Sequence, residues 1–129
     1  MLSRYRFLTL ASLVAVGVGA AALVAPEAML ATKGIAGNAA AQVWVREVGA
    51  VLLAIGFIAW CVRSHGDSAT LRVMLWGNAL LQLALLPIEV VAHVQGVIPA
   101  LMGIVPNTVL HVVLAAGFVF HARAVRVHA

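Results

Sequence analysis

Apolar residues run in four long blocks separated by short polar segments. The first uncharged stretch covers 7–26 and follows Arg4 and Arg6; the others cover 41–62, 73–94 and 104–122, with Arg63, Arg72 and Arg123 at their ends. Each approaches the ~20 residues that an α-helix needs to cross ~30 Å of hydrocarbon at ~1.5 Å per residue. Four such segments cannot close a β-barrel, so the pattern predicts helices. The expected fold is all-α: a single domain over 1–129, built as an integral membrane four-helix up-and-down bundle with spans at about 7–25, 41–62, 73–94 and 104–122. The first span begins as a secretory signal peptide does. Pro26 directly after Leu23-Val24-Ala25 makes a poor cleavage site, so an uncleaved span is expected.

The polar residues inside these blocks are few and patterned. Span three carries Asn78, Gln82, Glu89 and His93, spaced by four, seven and four residues, which places them on one helical face. That stripe is expected to face the interior, with Glu89 and His93 in touch. Span four carries Asn107 and His111, again four apart. Counting from the arginines, Arg72 to Glu89 and Arg63 back to Arg46 are 17 residues each, or ~25 Å. Arg123 back to Asn107 is 16 residues, or ~24 Å, and to His111 it is 12, or ~18 Å. Arg46, Glu47, Glu89, Asn107 and His111 are thus expected in one half of the membrane, with His93 and Glu27 a turn further out. An ionised group at mid-depth costs about 2.5–3.5 kcal/mol. Two readings fit the convergence: a polar network that pins helices together, and a site for a ligand or proton.

Composition narrows the class. Of 129 residues 64% are hydrophobic and 9% charged, against about 25% charged in a soluble domain, and the mean hydropathy is +1.11. A soluble enzyme, a disordered chain and a disulfide-stapled secreted domain are excluded. The net charge of +4 comes from scattered residues, not a run, so no nucleic-acid partner is expected. Arg4, Arg6, Arg63, Arg72, Arg123 and Arg126 fall on one side of an up-and-down bundle, with Lys33 and Arg46 on the other. That asymmetry predicts cytoplasmic termini in a cell inner (plasma) membrane, with the 32–46 and 95–103 loops outside. Cys61, the single cysteine, can form no intrachain disulfide and is expected as a small core residue.

Other features have structural explanations. Ala11, Ala15, Gly19 and Ala22 on span one, and Gly49 and Gly56 on span two, are small residues suited to close helix packing. Trp44, Trp60 and Trp76 fall near interfaces. Pro87 is expected to kink span three. His65, His121 and His128 fall at the cytoplasmic rim with no expected role. No metal site is expected, because Glu89, His93 and His111 lack ligand spacing. No cofactor is expected either, although His93 and His111 on neighbouring helices offer a haem reading and the apolar walls a quinone one.

The stretches Leu23-Val24-Ala25-Pro26-Glu27, Val45-Arg46-Glu47-Val48-Gly49 and Leu52-Leu53-Ala54-Ile55-Gly56 resemble the DoxX-like four-helix bacterial membrane proteins. The resemblance covers most of the chain as an architecture, and its motifs are short. It implies the fold and a role for the Arg46-Glu47 position. Some relatives are described as subunits of membrane redox assemblies. The chain lacks the cysteine pairs of redox-active relatives, which argues against thiol chemistry.

The expected function is binding of an apolar or amphipathic small molecule, a lipid or quinone for example, in an outward-facing intramembrane pocket. Arg46, Glu47, Glu89, His93, Asn107 and His111 are the candidate binding residues. Membrane lipids, the ligand and a second copy or a larger membrane complex are the expected partners. The alternatives are an accessory subunit, docked through the Ala/Gly face of span one, and an enzyme shuttling a proton through Glu89 and His93 on a lipid-like substrate.

Overall fold

A computed structural model describes residues 2–127. These residues form five α-helices and one 3-10 turn, with no strand. The helices are α1 (Arg4–Val24), α2 (Pro26–Thr32), α3 (Ala39–Val62), α4 (Ala69–Val94) and α5 (Val105–Ala124), and the turn is Leu101–Gly103. Four segments are long and apolar enough to cross a membrane: Arg4–Val24, Ala39–Val62, Ala69–Val94 and Leu101–Ala124. Only 17–33% of the apolar 18-residue window in each of these spans is buried within the protein. The outward side chains are large and apolar, including Trp44, Phe57, Val73, Leu80 and Val94. Such surface calls for an apolar solvent, as in a multi-pass membrane protein.

Caps explain where the helices begin. Ser3, Asn38 and Ser68 accept hydrogen bonds from the backbone N–H groups of Arg6, Ala41 and Leu71. The Ser68 cap starts α4 at Ala69, so Arg72 lies inside the helix and not at its edge. The segment between the first two predicted spans contains α2. Pro26 opens this helix, where a missing N–H costs nothing. Helix α4 runs through Pro87 without ending. Its end is a Schellman turn, with Gly96 at φ 74° and bonds from Gly96 N to the His93 carbonyl and from Val97 N to the Ala92 carbonyl.

The chain divides into two compact units, Met1–Ser64 and His65–Ala129. In the first, α1 and α3 pack antiparallel. Three contacts recur seven residues apart on both helices: Tyr5 with Arg63, Ser12 with Gly56, and Gly19 with Gly49. Ser12 Oγ donates to the Gly56 carbonyl at 2.6 Å in the interior. A Cβ on Gly19 would lie 2.8 Å from the Gly49 carbonyl oxygen, and one on Gly49 2.8 Å from that of Gly19. The close packing expected of the small residues is therefore present, with Ala11, Gly19 and Ala22 buried and Ala15 half-buried.

Two sequence expectations change here. The Ala/Gly face of α1 is spent on α3, so it is not a free docking surface for a partner. Cys61 is exposed rather than in the core. It follows buried Ala59 by two residues, or about 200° around the helix, which turns it away from α1.

In the second unit α4 and α5 form an antiparallel pair. Leu75, Gln82 and Glu89, seven residues apart, are all buried on α4. Ala115, Phe118, His121 and Ala122 are buried on α5. His121 is thus an interior residue, its ring edge-on to Phe120 at 5.1 Å between centroids, and not an idle rim histidine. His65 is exposed, and His128 lies outside the described residues.

Candidate functional site

The apolar seam between α4 and α5 carries two polar steps. The outer step is Glu89, 8% exposed. Asn107 Nδ2 donates to its Oε1 at 2.9 Å, and Thr108 Oγ1 reaches Oε2 at 3.5 Å. The inner step is Gln82, also 8% exposed, whose Oε1 lies 2.6 Å from His111 Nδ1. A carbonyl oxygen only accepts, so this nitrogen carries the proton. The steps are seven residues apart on α4 and four on α5, so both fall on the facing sides of the two helices. Each buried side chain has a partner, as a low-dielectric interior requires.

The helices place these groups for local reasons. Asn107 and Thr108 sit in the first turn of α5, where backbone N–H groups lack intrahelical partners and polar side chains are favoured. Proline at position 106 opens that turn. Asn78, the inner end of the α4 stripe, turns back on its own helix and donates to the Met74 carbonyl at 3.0 Å.

His93 is not paired with Glu89. Its Nδ1 lies 2.7 Å from the Ile98 carbonyl, so the ring closes the Schellman turn, which curls the chain back beneath it. Helical spacing permits the Glu89–His93 contact, but the turn competes for the imidazole and holds it. The structure therefore brings together Glu89 with Asn107 and His111 with Gln82, and assigns His93 to the adjoining turn.

Arg46 and Glu47 belong to the first unit, where both are exposed near the start of α3. Adjacent helix residues do not face each other. Thr108 is the residue that sequence reasoning missed. Its signal was its place beside Asn107, which puts a hydroxyl one position along from an expected site residue.

The donors and acceptors left over define what the seam can do. Asn107 spends its amide N–H on Glu89, so its Oδ1 is the end of the side chain that faces away. His93 uses Nδ1 on the Ile98 carbonyl, which leaves Nε2 as its other ring nitrogen. Glu89 itself accepts only when ionised. An ionised Glu89 carboxylate and the Asn107 carbonyl can both accept hydrogen bonds. Among the described residues, no group of three or more His, Cys, Asp or Glu side chains is placed to hold a metal ion. A separate open depression of ≈ 520 Å³ runs along the other half of α5, lined by Ala116, Val119, Phe120, Arg123 and Ala124. It begins nine residues beyond Asn107, ~14 Å along the helix, and contains none of the seam residues.

The chain matches no family model, no curated protein and no solved structure. The likeness to DoxX-like proteins therefore rests on the short motifs alone.

Proposed function

We propose that the chain is an inner-membrane protein, with both termini cytoplasmic, that binds an apolar or amphipathic small molecule. The polar head of the ligand sits at the Glu89 step of the α4–α5 seam, and its apolar body lies along the surrounding Leu, Val and Ala surface. The observation that carries this reading is the Asn107–Glu89 hydrogen bond. It fixes a carboxylate within an apolar helix pair and leaves the Asn107 carbonyl as an acceptor beside it. The head group is therefore a hydrogen-bond donor, a hydroxyl, phenol or amine, and not a carboxylate or phosphate. Among quinone-like molecules the reduced, hydroxyl-bearing form fits and the oxidised form does not. Arg46 and Glu47 stay in the proposal on their sequence depth, as does a distant DoxX-like origin.

The two alternatives have less support. An accessory subunit would need a docking face, and the small-residue face of α1 is occupied by α3. A proton-transfer enzyme would need Glu89 and His93 in contact, and His93 is bonded to Ile98 instead.

Native mass spectrometry of detergent-purified protein tests the proposal. The expected result is a reproducible bound mass that is lost in Glu89→Gln and in Asn107→Leu. A long-chain alcohol added to delipidated protein should bind, and the matching methyl ether should not. Wild-type protein that stays folded yet retains neither an endogenous molecule nor the alcohol would sink the reading.

A further inference from the structure

Helix α3 carries two charged side chains on a surface that is otherwise apolar. Arg46 and Glu47 are both exposed, among the exposed apolar residues Val43, Trp44, Val48 and Val51. Gly49 packs on α1, and Glu47 precedes it by two residues, so it points about 200° away from that contact. Trp44 and Trp60, both exposed, are 16 residues apart on α3, or ~24 Å. Such rings settle at the two membrane interfaces. Glu47 lies three residues inside Trp44, in the apolar layer between the two rings.

Neither charge is answered within its unit. Among the described residues no hydrogen bond or ion pair involves the side chain of Arg46 or Glu47. Adjacent residues on a helix do not face each other, so the two do not neutralise one another. Arg4, Arg6 and Arg63 are at the other end of the unit, where Tyr5 meets Arg63, and Lys33 precedes the start of α3. The Arg46 side chain is long enough to run its head group toward the interface, and Glu47 is too short for that. An ionisable side chain within a span is held by a partner charge or faces a water-filled cavity. Glu47 therefore calls for a cation at its own level.

From this charge pattern we infer that the cation is Arg46 of a second copy of the chain, met across a parallel two-fold interface between α3 helices. Two copies inserted the same way in one membrane run their α3 helices parallel, which brings Arg46 and Glu47 to one level, ~1.5 Å apart in height. Val43, Glu47, Ala50, Ala54, Phe57 and Cys61 are spaced by 4, 3, 4, 3 and 4 residues and are all exposed. This is the seam spacing of a left-handed helix pair, in which each side chain enters a hole of four residues on the facing helix. The hole for Glu47 is formed by Val43, Arg46, Glu47 and Ala50 of the second copy. Two-fold symmetry makes the contact reciprocal, so two carboxylates and two guanidiniums meet with no net charge. Ala50 and Ala54 are small enough to let the two backbones approach. The ligand reading rests on Glu89 and Asn107, so the two proposals can fail separately.

Oxidative cross-linking of the full chain in native membranes tests the interface, because Cys61, the single cysteine, is exposed on the seam. Copper-phenanthroline is expected to yield a disulfide-linked species of twice the chain mass. In a Cys61→Ser background Ala50→Cys should cross-link as well. Val48→Cys, exposed at nearly the same depth but about 200° round the helix, should not. Arg46→Glu gathers four carboxylates at one level and should lower the Ala50→Cys cross-linking rate about tenfold. Adding Glu47→Arg restores opposite charges and should restore the rate, which a merely structural role for the two residues would not do. Helical circular dichroism checks that the variants fold. Should a charge variant not fold, the comparison of positions 50 and 48 decides alone. No dimer, equal cross-linking at the two positions, or an adduct with another protein in place of the dimer overturns the proposal. An undiminished rate in folded Arg46→Glu, or no recovery in the folded double variant, overturns it too.

Discussion

Asn107 Nδ2 donates to Glu89 Oε1 at 2.9 Å, whereas its neighbour Thr108 reaches Oε2 only at 3.5 Å. The two bonds join α4 to α5 with unequal strength. A polar contact between membrane helices contributes about 0.6 kcal/mol on average and up to about 1.7. Asn107→Ala is expected near the upper figure, because it leaves an oxygen of a buried carboxylate without that donor. Thr108→Val is expected to cost less than about 0.5 kcal/mol, since a bond at the distance limit contributes little. Unfolding in detergent with increasing denaturing surfactant measures both. Equal costs would mean that the distances do not reflect the working geometry.

The Gln82–His111 pair gives a different arithmetic. Gln82→Leu alone removes the oxygen that His111 Nδ1 meets at 2.6 Å, and His111→Leu alone leaves a buried amide without its partner. Removing both partners leaves no orphan. The double variant is therefore expected to be more stable than the sum of the single losses predicts, with a coupling of about 1 kcal/mol. A double-mutant cycle in detergent reads this coupling, and additive losses would show that the two side chains act separately.

His93 is expected to act on the turn rather than on the carboxylate. His93→Phe keeps the ring's bulk and removes the bond to the Ile98 carbonyl. Faster amide hydrogen exchange should follow at Gly96, Val97 and Ile98, whose N–H groups bond to His93 and Ala92. Exchange in the middle of α4 should not change. Unaltered exchange in the turn would show that Gly96 alone closes it.

Much of this arrangement was legible in the sequence. Hydropathy marked the four spans, and the spacing of Asn78, Gln82, Glu89 and His93 marked the buried face of α4. That face was legible because charge and amide groups are rare in an apolar helix and must cluster where partners exist. The failures share one physical origin: periodicity gives a face but not the partner on it. Glu89 and His93 have the spacing to meet, yet the turn at Gly96 offered His93 a nearer acceptor. Cys61 sits in an apolar run, and in a membrane span such a run covers the lipid face as well as the core. Ser12 did not stand out among alanines and glycines, although it lies seven residues before Gly19, on the same packed line. Thr108 was hidden because a threonine in a first helical turn is ordinarily satisfied by local backbone.

The packing of α1 on α3 yields the sharpest contrast among the glycines. A Cβ on Gly19 would meet the Gly49 carbonyl oxygen at 2.8 Å and the Leu53 backbone nitrogen at 3.0 Å, while one on Gly17 would meet nothing within 4 Å. The obstructing atoms at Gly19 are backbone, so the helices themselves must separate to admit a methyl group. Gly19→Ala is expected to destabilise the protein by about 1–3 kcal/mol, the usual cost of overpacking. Gly17→Ala meets no such obstacle and replaces a poor helix former, so it is expected to be neutral or stabilising by up to about 1 kcal/mol. The two substitutions are chemically identical and two residues apart on one helix, which removes composition and position in the span as explanations. Thermal unfolding of both variants in one detergent decides the matter. If Gly17→Ala proves as damaging as Gly19→Ala, the close approach of α1 and α3 at Gly49 is not what holds this hairpin together.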